Sequence, residues 1–423
     1  MVPTDLEQRV LAEVVQGEGA LLSDLRDLIR TPSVVGHEAA AQAVMEAKLR
    51  GLGLSVTRLR PVLEEVSRHP AYVTVPWSYD GRDNVLGTLT GAGGGRSLIL
   101  NGHVDVVSAE PTDAWTHDPW GAVERDGRIY GRGSVDMKAG LAAIMGAVRA
   151  IRAAGVRLRG DLHVHSVIEE EAGGGGGTLA CLLSGHVADG MIIAEPGDVA
   201  IAHAGVLYFR VRVTGKTAHA GRAHTGVNAI GKMNLIYDAL IDLDRRRAAA
   251  HRFDLFERTV GRSCHLNIGQ YHAGDWPSTV AGRAEMECRI SFIPGERADD
   301  VRREVEEVIA AAARADAWLV EHPPVVEWFG WHGEAWTQDE THPLVQTVRG
   351  SVEDVTGAPA PLGGKAAGMD TRFAAYVGMP ALSYGPSGAN SHGFDEYVER
   401  DSIVRCAKVL AMSVLRWCGV AGA

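Results

Sequence analysis

The sequence predicts an α/β protein, a mixed, mainly parallel sheet flanked by helices, interrupted by an inserted α+β module of ferredoxin-like order. Three observations predict it. Short apolar runs within 97–107, 161–168, 190–195 and 381–384 each break off into polar, Gly-rich segments, as strands buried on both faces do. Helical patterns alternate with them, most clearly at 137–154. Around Gly205 the character changes to half-exposed strands and surface helices.

Taken in order, residues 5–52 read as two helices, of which GHEAAAQAVMEAKLRGLG is an amphipathic pattern closed by glycines. Segments 55–60, 84–91, 97–107, 161–168 and 190–195 read as strands, and MKAGLAAIMGAVRAIRAA (137–154) as a buried Ala-rich helix. YFRVRVTG alternates like a strand with one wet face, and 226–247 reads as a helix. HLNIGQYHAG and AEMECRISFI read as strands, 297–315 as a surface helix, and WLVEHPPVVEWFGW as a last strand. That βαββαβ order is the ferredoxin-like one. From His342 onward, helix, strand and helix return to the first pattern. Residues 1–204 and 332–423 are therefore expected to form one domain, and 205–331 the insert.

At 423 residues with 46% hydrophobic side chains, the chain has enough material for two domains with sizeable cores. A net charge of −11 argues against nucleic acid as a partner. Cys181, Cys264, Cys288, Cys406 and Cys418 are scattered, with no CxxC, which fits a reduced cytoplasm better than a disulfide framework. The first 30 residues carry acids throughout, and no apolar span reaches about 18 residues, so neither a signal peptide nor a membrane partner is expected.

The chemistry gathers at strand ends. LILNGHVDVV ends a strand in His103 and Asp105, which point to the same face. His103 can bind a metal while Asp105 accepts the ring's other N–H and sets the tautomer. Asp136 comes next, in the Gly-punctuated turn GRIYGRGSVDMKAG. DLHVHSVIEEEAGGGGG runs a strand into Glu169, Glu170 and Glu171; carboxylates so close repel unless a cation or proton sits among them. One such Glu can coordinate a metal while its neighbour acts as general base. GMIIAEPGD delivers Glu195, and GPSGANSHGFDEYV places His392 beyond the strand at 381–384. His103, Asp136, Glu171, Glu195 and His392 together make a His₂-carboxylate₃ set. Such ligands suit Zn²⁺ best and allow Co²⁺ or Mn²⁺. Two divalent ions sharing Asp136 would use all five.

These residues bring the chain to a family. It resembles the co-catalytic metallo-deacylases and carboxypeptidases: acetylornithine deacetylase, succinyl-diaminopimelate desuccinylase, aminoacylase and glutamate carboxypeptidase. The matching pieces are GHVDVV, DPWGAVERDGRIYGRGSVDMKAG, IEEEAGGGGGTLA, AEPGD, TGKTAHAGRAHTGVNAI and SHGFDEYV, in the family's order from Pro32 to about Val398. The resemblance implies a metallopeptidase catalytic domain with a lid and dimerisation insert. It implies His103, Asp136, Glu171, Glu195 and His392 as ligands of two metal ions, Asp136 as the bridge, Glu170 as general base and Asp105 as support for the ligands. It also implies that His219 stabilises the oxyanion, typically in the partner subunit of a homodimer. The substrate class implied is an N-acyl amino acid or short peptide. Glu at 195 favours deacylases and carboxypeptidases over aminopeptidases and dipeptidases.

Other motifs carry less. TGKTAH resembles the end of a phosphate-binding loop, but Arg210 stands where that loop needs Gly. Gly173–Gly177 reads as close backbone packing beside the metals. His163 and His165 read as hydrogen-bonded core histidines, and Trp115, Trp120, Trp328, Trp331 and Trp336 as packing residues or the lining of an acyl pocket. The segment GDWPSTVAGRAEMECRI departs from the family, with Trp276-Pro277 near its Asn-x-x-Pro turn and Ala281 where Pro is common. Arg289 and Arg372 are the candidates for a substrate-carboxylate clamp, against an ion-pair role for each.

Overall fold

The computed structural model describes residues 3–422. The chain divides into two compact units. One holds everything up to Ile201, Gln338–Gly363 and the chain from Asp370; the other holds Ala202–Thr337 and Gly364–Met369.

In the first unit four strands lie parallel, in the spatial order Leu162–Val167, Leu98–His103, Met191–Ile193 and Ala381–Ser383. Every residue in them except His163 is buried, which is why they read as continuous apolar runs. Antiparallel strands Asn84–Leu89 and Ser55–Leu59 extend the sheet on one side, and Ala200 pairs antiparallel with Ser383 on the other. His103 pairs with Val167 and Asn101 with Ile193, so adjacent parallel strands end nearly level. The turns beyond these strands therefore emerge along one carboxyl-terminal edge, the edge where open α/β sheets bind ligands.

Helix Ala139–Ala153 buries twelve of its residues. Its small side chains permit close approach: a Cβ on Gly140 would stand 2.1 Å from the carbonyl oxygen of Ala194. Helices Arg400–Cys418 and Asp5–Gln16 pack on it. Before the first strand there are three helices rather than two: Asp5–Gln16, Glu18–Ile29 and Ala39–Gly51. Gly17, a weak helix former, closes the first and opens the second.

The second unit has strands Gly205–Thr214, Leu266–Ala273, Arg283–Phe292 and Val325–Gly333, with helices Ala229–Ala250 and Ala298–Arg314. The strands form one antiparallel sheet in the order 266–273, 283–292, 205–214, 325–333, the ferredoxin-like arrangement. Phe209, Met233, Leu240, Met286, Ile290, Val305 and Ile309 are among its core residues. WLVEHPPVVEWFGW is not all strand. Asp316 caps a short helix, Ala317–Glu321, and Pro323-Pro324 delays the strand to Val325 because proline offers no N–H to a ladder.

A small antiparallel sheet escapes the sequence reading: Val123–Arg125, Arg128–Tyr130, Tyr397–Glu399 and Gly388–Ala389. It joins the segments that carry Asp136 and His392. All five cysteines are buried and free. Among the described residues, no helix is long and apolar enough to cross a membrane.

Candidate metal centre

His103 is the last residue of its strand, and Glu195 lies two residues beyond Ile193. The three glutamates begin two residues beyond Val167. Asp136 and His392 come from the turns that the small sheet joins. His103 Nε2 is 3.4 Å from Asp136 Oδ1 and 3.2 Å from Glu195 Oε1. His392 Nε2 is 3.5 Å from Asp136 Oδ2 and 3.0 Å from Glu171 Oε2. The fold therefore gathers the five side chains into two triads, His103–Asp136–Glu195 and Asp136–Glu171–His392, with Asp136 in both. Within each, the donor atoms all lie within 4.8 Å of one another.

The donor set fits divalent cations. His103 Nε2 is buried with no hydrogen-bond partner, pointing at two carboxylates. Its Nδ1 lies 2.8 Å from the main-chain carbonyl of Asp105, which fixes the proton there and leaves Nε2 as a lone-pair donor. This corrects the expectation for Asp105 in one respect: its carboxylate stands 3.7 Å from that nitrogen. The carboxylate instead accepts the N–H groups of Glu170 (3.2 Å) and Glu171 (3.0 Å). A carboxylate can take several donors, and the glutamate turn presents two N–H groups with no strand partner.

The electrostatics point the same way. Asp136 and Glu171 draw the His392 imidazole up to about 11. Burial opposes protonation of His103, yet Asp136 and Glu195 hold it well above its usual range. Burial pushes Asp105 up to about 8, against the pull of His103. So many anionic groups around two imidazoles make a site built to hold positive charge.

The three glutamates are distinguished by their partners. Glu169, in a left-handed turn at φ 69° and fully buried, belongs to neither triad. It accepts from Tyr79 Oη (3.0 Å) and the Gly176 N–H (2.9 Å) and lies 3.2 Å from Arg82 Nη1. Arg82 also forks onto Glu38 at 2.7 and 2.8 Å. Glu171 meets His392. That leaves Glu170, whose carboxyl is pushed well above its ordinary range by burial and then by Asp370.

Sequence reasoning missed Glu169 with its Arg82–Tyr79 anchor, Glu396 and Lys138. Glu396 accepts backbone N–H groups of the Asp136 turn. Lys138 is fully buried, donates to the carbonyls of Leu28 (2.8 Å) and Thr31 (3.0 Å), and is pushed by burial down to about 7. A charged residue beside a motif was the only available signal.

The remaining candidates have partners of their own. His219 is exposed on the second unit, its Nδ1 accepting from the Gly221 N–H at 3.1 Å. Arg289, half-buried in the strand Arg283–Phe292, approaches the carbonyl of Ala366 at 3.4 Å. Arg372 is buried in the first unit, donates to the Gly173 carbonyl at 2.6 Å and sits 4.0 Å from Asp370. His163 pairs with Thr88 at 3.1 Å. His165 is buried with Nδ1 unpaired, so it is a core histidine that lacks the hydrogen bond expected at that nitrogen. Trp328 packs on Phe209 and Trp336 on His203, while Trp115 Nε1 donates to Ala109.

With the geometry in place, comparison with known proteins decides the family. The profile of Peptidase family M20/M25/M40 matches residues 99–416. The chain belongs to this family. It is 31% identical over 362 residues to the N-formyl-4-amino-5-aminomethyl-2-methylpyrimidine deformylase of Bacillus subtilis (strain 168), covering 80% of this chain and 84% of that protein. It is 31% identical over 409 residues to the succinyl-diaminopimelate desuccinylase of Gluconacetobacter diazotrophicus, covering 93% and 96%. Among solved structures, human carnosine dipeptidase 1 matches with a TM-score of 0.75 at 18% identity, over 98% of this chain and 99% of that one. The family is dinuclear and metal-dependent, and this M20 enzyme is a hydrolase of linear amides.

Proposed function

We propose that the enzyme cleaves the linear amide bond of an N-acylated amino acid or related N-acylated amine, with His103, Asp136 and Glu195 holding one divalent ion and Asp136, Glu171 and His392 the other. Zn²⁺ suits these ligands best, with Co²⁺ or Mn²⁺ allowed. The observation that carries the proposal is the pair of triads sharing Asp136, with Glu170 next in the chain to a ligand of one of them. When bound, the ions polarise the amide carbonyl and lower the pKa of a water towards ~7.

The chain's own groups do the rest. Glu170 takes the proton of the attacking water and later delivers it to the leaving amine, as a general base and then acid. Asp105 keeps Glu170 and Glu171 in place through their N–H groups. His219, from the second unit, stabilises the oxyanion, a contact worth roughly 3–4 kcal/mol in comparable sites. The family resemblance supports its serving the partner's site in a homodimer. Arg289 and Arg372 are the candidates for a substrate carboxylate, each with a main-chain carbonyl, of Ala366 and of Gly173, as its present partner.

The relatives named as deformylase and desuccinylase favour small acyl groups, and a carboxypeptidase or dipeptidase activity is the second reading. The test loads the purified protein with Zn²⁺ or Co²⁺ and offers formyl-, acetyl-, succinyl- and carbamoyl-amino acids, the formamide of an aminomethylpyrimidine, and dipeptides. Turnover of an acyl-amine supports the proposal. Dipeptide cleavage alone would replace it with the second reading.

A further inference from the structure

Glu396 lies four residues beyond His392 and is 1% exposed. Its Oε2 receives the Arg132 Nη1 at 2.7 Å and the Gly133 N–H at 3.0 Å. Its Oε1 receives the N–H groups of Val135 at 3.0 Å and Asp136 at 3.2 Å. Four donors satisfy a carboxylate, and all four come from the turn that ends in Asp136. That turn also carries Gly133 at φ 77°, where a Cβ would stand 2.5 Å from Val106. Next door, the carbonyl of Glu396 accepts from Gly131 at 2.9 Å, and Tyr397–Glu399 pairs with Arg128–Tyr130. The Asp136 turn is thus folded around a single anion supplied by the His392 segment.

We infer that Glu396 is a positioning residue for Asp136, the ligand common to both triads, and that it fixes this carboxylate in register with His392. Neutralising Arg132 would occupy only one oxygen; Oε1 is given over wholly to the main chain at Val135 and Asp136. Asp105 does the equivalent service on the other side. It stands two residues beyond His103 and receives the N–H groups of Glu170 and Glu171. Each histidine ligand is therefore succeeded in sequence by a buried carboxylate that grips the turn of a ligand from a different segment. In this way four of the five ligand segments, distant in sequence, are tied in pairs by main-chain N–H groups bonded to side-chain carboxylates. The inference rests on Asp136 being a metal ligand, as proposed above.

Apoproteins of Glu396→Gln and Glu396→Asp, alongside His392→Ala, are titrated with Zn²⁺ against a chelator of known affinity. The visible spectrum of each Co²⁺-loaded protein and the thermal unfolding of each apoprotein are recorded. Gln replaces one acceptor oxygen with an N–H₂ that faces backbone donors, so Zn²⁺ affinity should fall by ~10–100-fold and the Co²⁺ spectrum should change. Asp keeps the charge and the Arg132 partner but is one methylene short, and should lose less. If Glu396→Gln does not fold, Glu396→Asp decides. Wild-type Zn²⁺ affinity and an unchanged Co²⁺ spectrum in the folded variants, even with lowered unfolding temperature, would overturn the positioning role. Should His392→Ala also bind metal as the wild type does, the ligand assignment itself fails.

Discussion

Glu169, Glu170 and Glu171 are identical in type and adjacent in sequence, yet their surroundings predict three separate phenotypes. Glu170→Gln should keep its metal and lose ~10²–10⁴-fold in kcat, the usual worth of a general base. Glu171→Ala should lose metal, since its carboxylate faces His392 at 3.0 Å and shares a triad with Asp136. Glu169→Ala should chiefly lose stability. It removes the acceptor for Tyr79 and Gly176 and one of the two anions around a buried Arg82. Stripping one partner from a buried ion pair costs ~3–5 kcal/mol, and because Arg82 keeps its fork on Glu38 the lower end, about 3 kcal/mol, applies. The three variants are compared by metal content per chain, steady-state kcat at saturating metal, and denaturant midpoint with its slope. A stable, metal-replete Glu169→Ala that has lost its kcat, beside a Glu170→Gln that has lost its metal, would mean that the roles are displaced by one residue and that hydrogen-bond partners do not decide them.

Metal content after gentle purification should approach about two divalent ions per chain by elemental analysis, the number the two triads accommodate. Chelation should abolish turnover; full activity of a verified metal-free protein would sink the mechanism. His165 supplies a pH prediction. Burial, with His163 and His186 nearby, pushes it down to about 3, so the fold holds it neutral while the unfolded chain protonates near 6.5. Its contribution is intact above pH 6.5 and declines by ~1.4 kcal/mol per unit as pH falls from there towards 3. His165→Leu should flatten that part of the stability–pH curve, and an identical slope in both proteins would refute the assignment. Finally, mixing Glu170→Ala with His219→Ala under subunit exchange should restore activity through heterodimers in which one site has both groups. Proven exchange without recovery would show that His219 does not act in trans.

The ligand edge is legible in the sequence because parallel strands, buried on both faces, must be apolar almost throughout. A polar residue at the end of such a run is therefore conspicuous, and His103, Glu195 and the glutamate turn all stand at those ends. Asp136 and His392 are legible for another reason. Their turns have no period; residue type in Gly-rich segments singles them out, and the ordered match to a family implies their role. Partner choice is what stays hidden. Glu169 is claimed by Arg82 and Tyr79, from a stretch before Asn84 that shows no pattern, and the small sheet has strands of two or three residues, too short for alternation to register. Asp105 shows the same limit at the level of atoms: the sequence places it beside His103, but its carbonyl takes the ring N–H while its carboxylate goes to the glutamate turn. Local spacing tells which residues share a face; which unpaired N–H a carboxylate takes depends on turns brought near by the rest of the chain. The proposed ligands sit on strand ends and turns that pattern or family order can find, whereas the residues proposed to aim them, Glu396 above all, are chosen by long-range topology. Their loss should accordingly appear first in metal affinity and ligand-field spectra, and only secondarily in whether the chain folds.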